Sequence, residues 1–353
     1  MIRKKSSQAL SYFLNKAKFS LDKLISLRLL ESIKFALKQK FQEYAFFIID
    51  DSTFKKKKYK KSQGVGVNYD SYSKSARRSQ CLVMSSFIVN GFHGIFKSMF
   101  YVTKKHIAPR LFKTKPLMAV DLLTRFSKFI KENKLIKFKW IVLIDGGYTN
   151  AMLMQYLASS VFEGFIGRYS KGRNIFYRGE KILLKKFIST LTLDNFKEIV
   201  INGEKKLYHE LVCGVTGLDS VKMVLVIDDR DNPKLSDIRP LITNIKKLPT
   251  KKIILFYSYR WKQETYHQII KESFGFRVHK IRKLSSLSRF FELLAISYTL
   301  LEMRRFSKYS SCTSVFKVKN DLVEIAKKNF ILNLRGSKTP KIRQIKELEK
   351  FAA

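Results

Sequence analysis

The chain has 353 residues, of which 45% are hydrophobic, enough to form a core and to exclude global disorder. Its 70 Lys and Arg residues against 28 Asp and Glu residues give a formal net charge of +42. This excess favours a polyanionic partner, and nucleic acid is the natural one because each neutralised phosphate releases counterions. A lysine-rich composition imposed by an AT-rich genome explains part of the charge, but it does not readily explain the shortage of acids.

The cysteines and the apolar runs narrow the class of protein further. Cys81, Cys213 and Cys312 lie far apart without a CxxC motif, which excludes a disulfide framework and a zinc site of that kind. The N-terminus has no secretory signal pattern, and the strand-like apolar runs are shorter than the roughly 18 residues that span a bilayer. We therefore expect a cytoplasmic protein with no membrane partner.

Residues 1–44 form a basic segment whose apolar positions recur at helical spacing, as at Leu21, Leu24, Ile25 and Leu29. This spacing predicts a helical N-terminal region. We find no convincing helix-turn-helix pattern in it. If the protein recognises specific DNA ends, the chain is either a compact form or lacks a separate end-recognition domain.

The pattern then changes to strands. YAFFIIDD is an apolar run that ends in acids and predicts a buried strand, followed by the lysine-dense stretch STFKKKKYKKSQGVGV, which we predict to be a loop. CLVMSSFIVNG and GIFKSMFYV predict two more strands, joined by a turn at Gly91–Gly94.

Helices and strands alternate in the next part of the chain. KPLMAVDLLTRFSKFIKENK and TNAMLMQYLASS have helical periodicity, whereas KWIVLID and FEGFIGRY are strand-like. The predicted order to this point is β-β-β-α-β-α-β, which is typical of an α/β fold.

Residues 168–249 lose this alternation and predict a β-rich segment with few helices. Its strand candidates are NIFYRG, EIVING, KLYHELVCGV, VKMVLVID and RPLITNI. A helix is predicted over residues 250–273 and a longer, more apolar one over 284–304, before a basic helical end.

Three strand candidates end in aspartate. Asp50 and Asp51 follow the first, Asp145 follows KWIVLI, and the pair Asp228 and Asp229 follows VKMVLVI. An acid at the carboxyl end of a buried strand is well placed to face a crevice at the sheet edge. Turns and helix N-caps also use aspartate at such positions, and position alone does not choose among the three places.

The predicted helix 250–273 carries an unusual stripe. At about 100° per residue, Tyr257, Arg260, Glu264 and Lys271 fall within roughly 60° of one another around the axis. A single acid between two bases and a phenol suits a carboxylate that binds a cation while its neighbours hold phosphates, although a basic surface helix can carry a lone glutamate by chance. We predict His267 to be an ordinary surface histidine.

These residues carry a resemblance to a known family. Tyr257-x2-Arg260-x3-Glu264-x6-Lys271 resembles the Y-R-E-K signature of the DDE transposases of bacterial cut-and-paste insertion sequences. IIDDST is similar to the strand that carries the first acid of that family, and VLIDGGY to the segment with the second. PLITNI resembles the strand that closes the family's insertion. The resemblance runs from about residue 45 to 304.

The resemblance implies an α/β fold with an RNase H-like core. The implied catalytic domain spans 45–304, with a β-rich insertion at 168–249 between the last core strand and the helix that carries the catalytic glutamate. A basic helical N-terminal region, 1–44, and a basic helical C-terminal region, 305–353, flank it. Asp228 and Asp229 then fall in the insertion, and the resemblance does not favour them as site residues.

The resemblance also implies the site and its chemistry. Asp50, Asp145 and Glu264 become the catalytic residues and the ligands of two Mg²⁺ ions about 4 Å apart, with Mn²⁺ as a substitute. Asp51 remains an alternative to Asp50, but adjacent strand residues point to opposite faces, so only one of them reaches the metal. Tyr257, Arg260 and Lys271 are the implied phosphate-binding residues.

The implied activity is cleavage at transposon ends followed by transfer of the 3′-OH into target DNA. Its partners are double-stranded DNA, as terminal inverted repeats and as target, and a second copy of the chain on that DNA. The implied location is a bacterial cytoplasm, at the nucleoid. Two alternatives stay open: a nuclease of the same fold that does not transpose, and a catalytically incomplete remnant that only binds transposon ends.

Overall fold

A computed structural model of the chain describes residues 12–55, 62–70, 75–228, 233–274, 276, 281–309 and 313–335. The chain divides into two units, Met1–Thr299 and Leu300–Ala353. The strands all belong to the first unit. The second contains the end of one helix and all of the next.

Besides a helical stretch at residues 12–15, the α-helices of the described residues are α1 Leu21–Leu37, α2 Lys115–Glu132, α3 Ala151–Ala158, α4 Leu184–Ser189, α5 Thr250–Ser258, α6 Trp261–Gln268, α7 Leu284–Lys308 and α8 Val315–Arg335. The strands are β1 Tyr44–Lys55, β2 Val65–Asp70, β3 Ser75–Val89, β4 Phe92–Tyr101, β5 Lys139–Ile144, β6 Gly164–Arg168, β7 Asn174–Tyr177, β8 Glu180–Leu183, β9 Lys197–Ile201, β10 Glu204–Val215, β11 Leu218–Asp228 and β12 Arg239–Thr243.

All of these strands belong to one mixed sheet. Its order is β2-β3-β1-β5-β6-β12-β11-β10-β7-β8, with β4 also paired to β3 and β9 also paired to β10. Three neighbouring strands at its centre, β1, β5 and β6, are parallel. Their carboxyl ends therefore meet at one edge, where the acids of the sequence motifs are found.

The strand predictions hold, with three corrections. β1 does not end at the acids but continues to Lys55, because the antiparallel partner β3 extends beyond the parallel partner β5 and keeps its backbone paired. Two strands were not predicted: β2 begins in the stretch predicted as a loop and continues beyond it, and β8 lies outside the strand candidates. Residues 56–61 of that stretch, which hold most of the lysine run, lie outside the described part of the chain.

The third correction concerns the hairpin between β3 and β4. Its turn is formed by Asn90 and Gly91, with φ of 50° and 79°, and not by the four residues Gly91–Gly94. Positive φ at both central positions matches the strand twist of a two-residue hairpin, and Asn-Gly is the usual pair there. His93 and Gly94 accordingly lie within β4.

Side-chain alternation along β1 sends neighbouring residues to opposite faces of the sheet. Phe46 contacts Phe256 of α5, with ring centroids 4.8 Å apart, whereas Phe47 stacks on Phe126 of α2 at 4.0 Å. α2 thus covers one face of the sheet and α5 the other. By the same alternation Ile48 and Asp50 belong to the α5 face, and Ile49 and Asp51 to the α2 face.

The strands β7 to β12 extend the same sheet beyond β6. β12 pairs antiparallel with β6, and β11 and β10 follow in order. The β-rich content predicted for residues 168–249 is therefore present, with α4 as a short helix within it.

The predicted terminal helices are also present among the described residues. α1 begins after Ser20, whose hydroxyl accepts a hydrogen bond from the Lys23 backbone N–H. Its buried Arg28 pairs with Glu292 of α7 at 2.5 Å. In the second unit, Glu302 and Arg305 form a buried pair at 2.7 Å. Residues 1–11 and 336–353, predicted to be helical, lie outside the described part of the chain.

Phe126 is the aromatic centre of the α2 face. It is fully buried and contacts the rings of Phe47, Phe96 and Trp140. We expect Phe126→Ala to lower the free energy of unfolding by about 3–5 kcal/mol, because it removes a large apolar group and leaves a cavity. Urea denaturation measures this change. Phe176→Ala, at a side chain that is 43% exposed, is the matched control, and an equal loss in both variants would contradict this assignment of the core.

Candidate active site

Two of the predicted acids lie side by side at the carboxyl edge of the parallel strands. In the parallel pairing of β1 and β5, Ile49 is opposite Ile144, so Asp50 and Asp145 follow at the same level. Asp145 stands in a turn whose closing bond runs from the Tyr148 N–H to the Asp145 carbonyl, at 2.9 Å. The sheet therefore places these two carboxylates together although they are far apart in the sequence.

The adjacent acids Asp50 and Asp51 have different surroundings. Asp50 lies on the α5 face, where Nη1 of Arg260 contacts its Oδ2 at 3.1 Å. Asp51 lies on the α2 face, where its Oδ2 pairs with Nζ of Lys115 at 2.7 Å. Asp51 is thus neutralised by a lysine on the opposite side of the sheet, and Asp50 is the one that faces Glu264 and its helix.

Asp50 is held where its negative charge is unfavourable. Its pKa is raised to about 7, chiefly by burial and also by the carboxylates of Asp145 and Asp51, while Arg260 acts in the opposite direction. A nearby cation stabilises the charge of a buried carboxylate that has other carboxylates beside it.

The predicted single helix over 250–273 is wrong. α5 ends at Ser258, and the N–H groups of Tyr259, Arg260, Lys262 and Gln263 donate to carbonyls three residues earlier, which is the tighter 3₁₀ pattern. α6 follows, and residues Ile269–Ser273 then form a wider π-helical turn. The predicted stripe assumes a regular rotation of about 100° per residue, and the helix does not keep this rotation at either end of α6.

Arg260 links two of the predicted acids. It lies at the break between α5 and α6, and its guanidinium contacts Asp50 through Nη1 and Oε1 of Glu264 through Nη2. The Arg260 side chain is only 11% exposed, and that of Glu264 is 31% exposed. One cation thus spans a carboxylate from the sheet and one from the helix.

The three acids open into one cleft of about 940 Å³. Besides Asp50, Asp145 and Glu264, its lining includes Arg260 and Lys271. Tyr257 is not in the lining but borders a neighbouring pocket of about 400 Å³. Its ring centroid lies 5.7 Å from the Arg260 guanidinium carbon, and burial raises the pKa of its hydroxyl to about 12.

The predicted acids share a cleft but do not converge on one point. Within the described ranges, no three Asp, Glu, His or Cys side chains form a group that could hold a metal ion directly. The Arg260 guanidinium lies between two of the predicted acids, Asp50 and Glu264. The donor set itself fits a hard divalent cation, because it consists of carboxylate oxygens around a buried, charge-strained Asp50.

Two cleft residues were missed or misjudged from the sequence. Arg168, at the end of β6, lines the cleft, and its position on the third parallel strand was the only available signal. His267 was predicted to lie on the surface, but it is 7% exposed, and its Nε2 lies 2.9 Å from Nε2 of Gln263. Burial and the charges of Lys271 and Arg260 hold the pKa of His267 well below its ordinary value.

Asp228, the competing acid of the sequence analysis, forms ion pairs that indicate a structural role. Its Oδ1 is bound by Lys206 at 2.8 Å and by Arg239 at 2.6 Å, at the end of β11. Asp229 lies outside the described residues. Asp228 lies in the pocket that Tyr257 borders and not in the cleft of the three acids.

Comparison with known proteins identifies the family. The family model of the transposase DDE domain matches residues 42–300, well over half of the chain. A search among curated proteins gives no significant match. None of the described helices is long and apolar enough to cross a membrane. The matched range contains Asp50, Asp145 and Glu264 as well as Arg260, and the chain belongs to the family of proteins that carry the transposase DDE domain.

Proposed function

We propose that the protein is a cut-and-paste DNA transposase that cleaves the ends of an insertion sequence and transfers the resulting 3′-OH into target DNA. The transposase function follows from the family. The observation that carries the finer proposal is the single cleft that Asp50, Asp145 and Glu264 line together with Arg260 and Lys271. Carboxylates for cations next to bases for phosphates are the parts that phosphoryl transfer on DNA requires.

The order of the central strands supports an RNase H-like core as part of the proposal. β4, β3, β1, β5 and β6 are neighbours in this order, with β3 antiparallel to β1 and β4 and with β1, β5 and β6 parallel. We place the catalytic domain at 45–304 with its insertion at 168–249, between helical regions at 1–44 and 305–353.

Asp50, Asp145 and Glu264 are the proposed ligands of two Mg²⁺ ions, which Mn²⁺ can replace. When bound, the ions supply Lewis-acid stabilisation of the attacking and leaving oxygens. The chain's own contribution is to bury Asp50 beside Asp145 and to bring Glu264 to the same cleft on α6. The Arg260 guanidinium, which is shared by Asp50 and Glu264 in the structure, has to give up these carboxylates when they bind cations.

Arg260, Lys271 and Tyr257 are the proposed phosphate-binding residues. A guanidinium holds phosphate oxygens bidentately, and an ammonium acts as a point charge. Lys271 Nζ lies 5.3 Å from the centre of the Phe54 ring, on the rim of the cleft. Tyr257 lies beside Arg260. Its proposed position near the scissile phosphate follows from that contact. The DNA substrates and a second copy of the chain are the proposed partners.

We expect Arg260→Ala to weaken DNA binding and turnover together. Loss of one phosphate contact should reduce the slope of log binding constant against log salt concentration by about one, and turnover should fall about 100-fold. The measurements are a salt titration of binding and the rate of cleavage of an end-containing duplex. Arg125→Ala, at an exposed position on α2, controls for the loss of one charge. If Arg260→Ala leaves the salt slope of DNA binding and the cleavage rate unchanged, Arg260 has only a structural role.

The test of the proposed function is cleavage of a labelled duplex that contains an end of the element encoding the chain, with Mg²⁺ or with EDTA. A transposase cuts at the junction in Mg²⁺ alone and then joins the 3′ end to a target. A non-transposing nuclease of this fold cuts without joining, and a remnant that only occupies ends binds without cutting. The three acids in one cleft favour the transposase over the remnant, since binding alone does not need them.

A further inference from the structure

A second cluster lies directly behind the three acids, on the α2 face of the sheet. At its centre, the Asp51 carboxylate accepts a hydrogen bond from the Tyr148 hydroxyl at 3.2 Å and pairs with Lys115 at 2.7 Å. The thiol of Cys81 on β3 lies 3.5 Å from the same carboxylate. None of these residues has a role in the chemistry proposed above.

The cluster joins the two strand segments that carry the catalytic aspartates. Asp51 follows Asp50 on β1, and Tyr148 closes the turn that begins with Asp145. The hydrogen bond between Asp51 and Tyr148 connects residues 97 positions apart. It therefore ties the carboxyl end of the β1–β5 pairing together at the point where backbone pairing between the two strands stops, after Ile49 and Ile144.

Neighbouring residues hold the hydrogen bond between Asp51 and Tyr148 rigidly in place. Tyr148 is 2% exposed, so its ring is held by packing as well as by its hydroxyl. Lys115, at the start of α2, fixes the other oxygen of Asp51 and neutralises its charge. The next residue, Thr149, donates its hydroxyl to the carbonyls of Gly146 and Arg168, both at 2.9 Å, which secures the same turn against β6.

We propose that Asp51 and Tyr148 are positioning residues that set the spacing of Asp50 and Asp145 for cation binding. This inference rests on the proposed function, since it assumes that Asp50 and Asp145 are ligands. Groups that orient metal ligands from behind govern metal affinity, and their loss usually costs about 10- to 100-fold. Lys115 also allows the adjacent carboxylates of Asp50 and Asp51 to coexist, because it neutralises the charge of Asp51.

A purely structural role for this cluster predicts a different result. If Asp51 and Tyr148 only stabilise the fold, removal of the Tyr148 hydroxyl lowers the stability but leaves the cation affinity of the folded protein unchanged. If they position the ligands, cation affinity falls in a protein that is still folded. The maximal cleavage rate then recovers at high Mg²⁺ concentration, because the ligands themselves are intact.

The experiment measures Mn²⁺ binding to the protein on a duplex end, from the electron paramagnetic resonance signal of free Mn²⁺. For Tyr148→Phe we expect a wild-type circular dichroism spectrum, a Mn²⁺ affinity lower by about 10-fold or more, and a matching rise in the Mg²⁺ concentration for half-maximal cleavage. Tyr266→Phe is the matched control, because it removes another buried tyrosine hydroxyl that has no hydrogen-bond partner among the described residues. Its Mn²⁺ affinity should equal that of the wild type.

Substitutions of Asp51 test the same connection from its other end. Asp51→Asn keeps an oxygen that can accept the Tyr148 hydrogen bond but loses the charge that pairs with Lys115. We expect it to retain more Mn²⁺ affinity than Asp51→Ala. Should Tyr148→Phe not fold, this pair of variants gives the result.

The outcomes separate the inference from the proposed function. Equal Mn²⁺ affinity in the wild type, Tyr148→Phe and both Asp51 variants, with loss of binding in Asp50→Asn, would overturn the positioning role and leave the proposed function intact. Failure of the wild type itself to bind Mn²⁺ on the duplex end would overturn the proposed function and this inference with it.

Discussion

Glu264→Gln is expected to abolish cleavage and joining while DNA binding is retained. The substitution keeps the shape of the side chain and its place on α6, but removes the negative charge that contacts Arg260 and that we assign to cation binding. Loss of the charge stabilisation supplied by a bound cation is worth several kcal/mol, so the rate should fall by about 10³-fold or more. Cleavage of an end-labelled duplex measures the rate, and a gel-shift titration measures binding.

The control for this variant is Glu272→Gln, which changes another acid of the same cleft lining that has no assigned role in catalysis. It should cleave at the wild-type rate. If Glu264→Gln also cleaves at that rate, Glu264 is not a ligand and the proposed metal site is wrong.

Asp50→Asn and Asp51→Asn are expected to differ sharply. Asp50 faces Arg260 and the cleft, so its substitution should lower the rate by about 10³-fold or more at every Mg²⁺ concentration. Asp51 pairs with Lys115 on the opposite face, so its substitution should raise the Mg²⁺ requirement and leave most of the maximal rate. The measurement is the cleavage rate as a function of Mg²⁺ concentration for both variants.

This comparison decides between the two adjacent acids, which the sequence pattern alone does not. A reversed result, with Asp51→Asn inactive at saturating Mg²⁺ and Asp50→Asn active, would show that the first ligand is Asp51. It would also contradict the side-chain alternation along β1 on which the assignment depends.

Local patterns predicted most of the sheet. The apolar runs before Asp50 and Asp145 are long enough to identify buried strands, and a parallel pair brings the residues that follow such strands to one edge. The alternation that sends Phe46 and Phe47 to opposite faces also separates Asp50 from Asp51. The placement of Asp50 and Asp145 in one cleft was therefore within reach of strand periodicity combined with the family motifs.

The errors arose where tertiary contacts override periodicity. The helix around Arg260 changes from α to 3₁₀ geometry without a proline or glycine at the break, so no local signal marks it. His267 occupies a buried position in a stretch that is polar in sequence. The contact of Tyr148 with Asp51 joins residues 97 positions apart, and long-range side-chain contacts of this kind leave no periodic trace in a single sequence.

An assay of strand transfer in vitro shows whether this cleft performs transposition. The wild-type protein and Glu264→Gln are each given a pre-cut duplex of the element's end, a supercoiled target and Mg²⁺. We expect covalently joined product with the wild type and none with Glu264→Gln, although both bind the duplex. Joining by both proteins, or binding without joining by the wild type, would contradict this expectation.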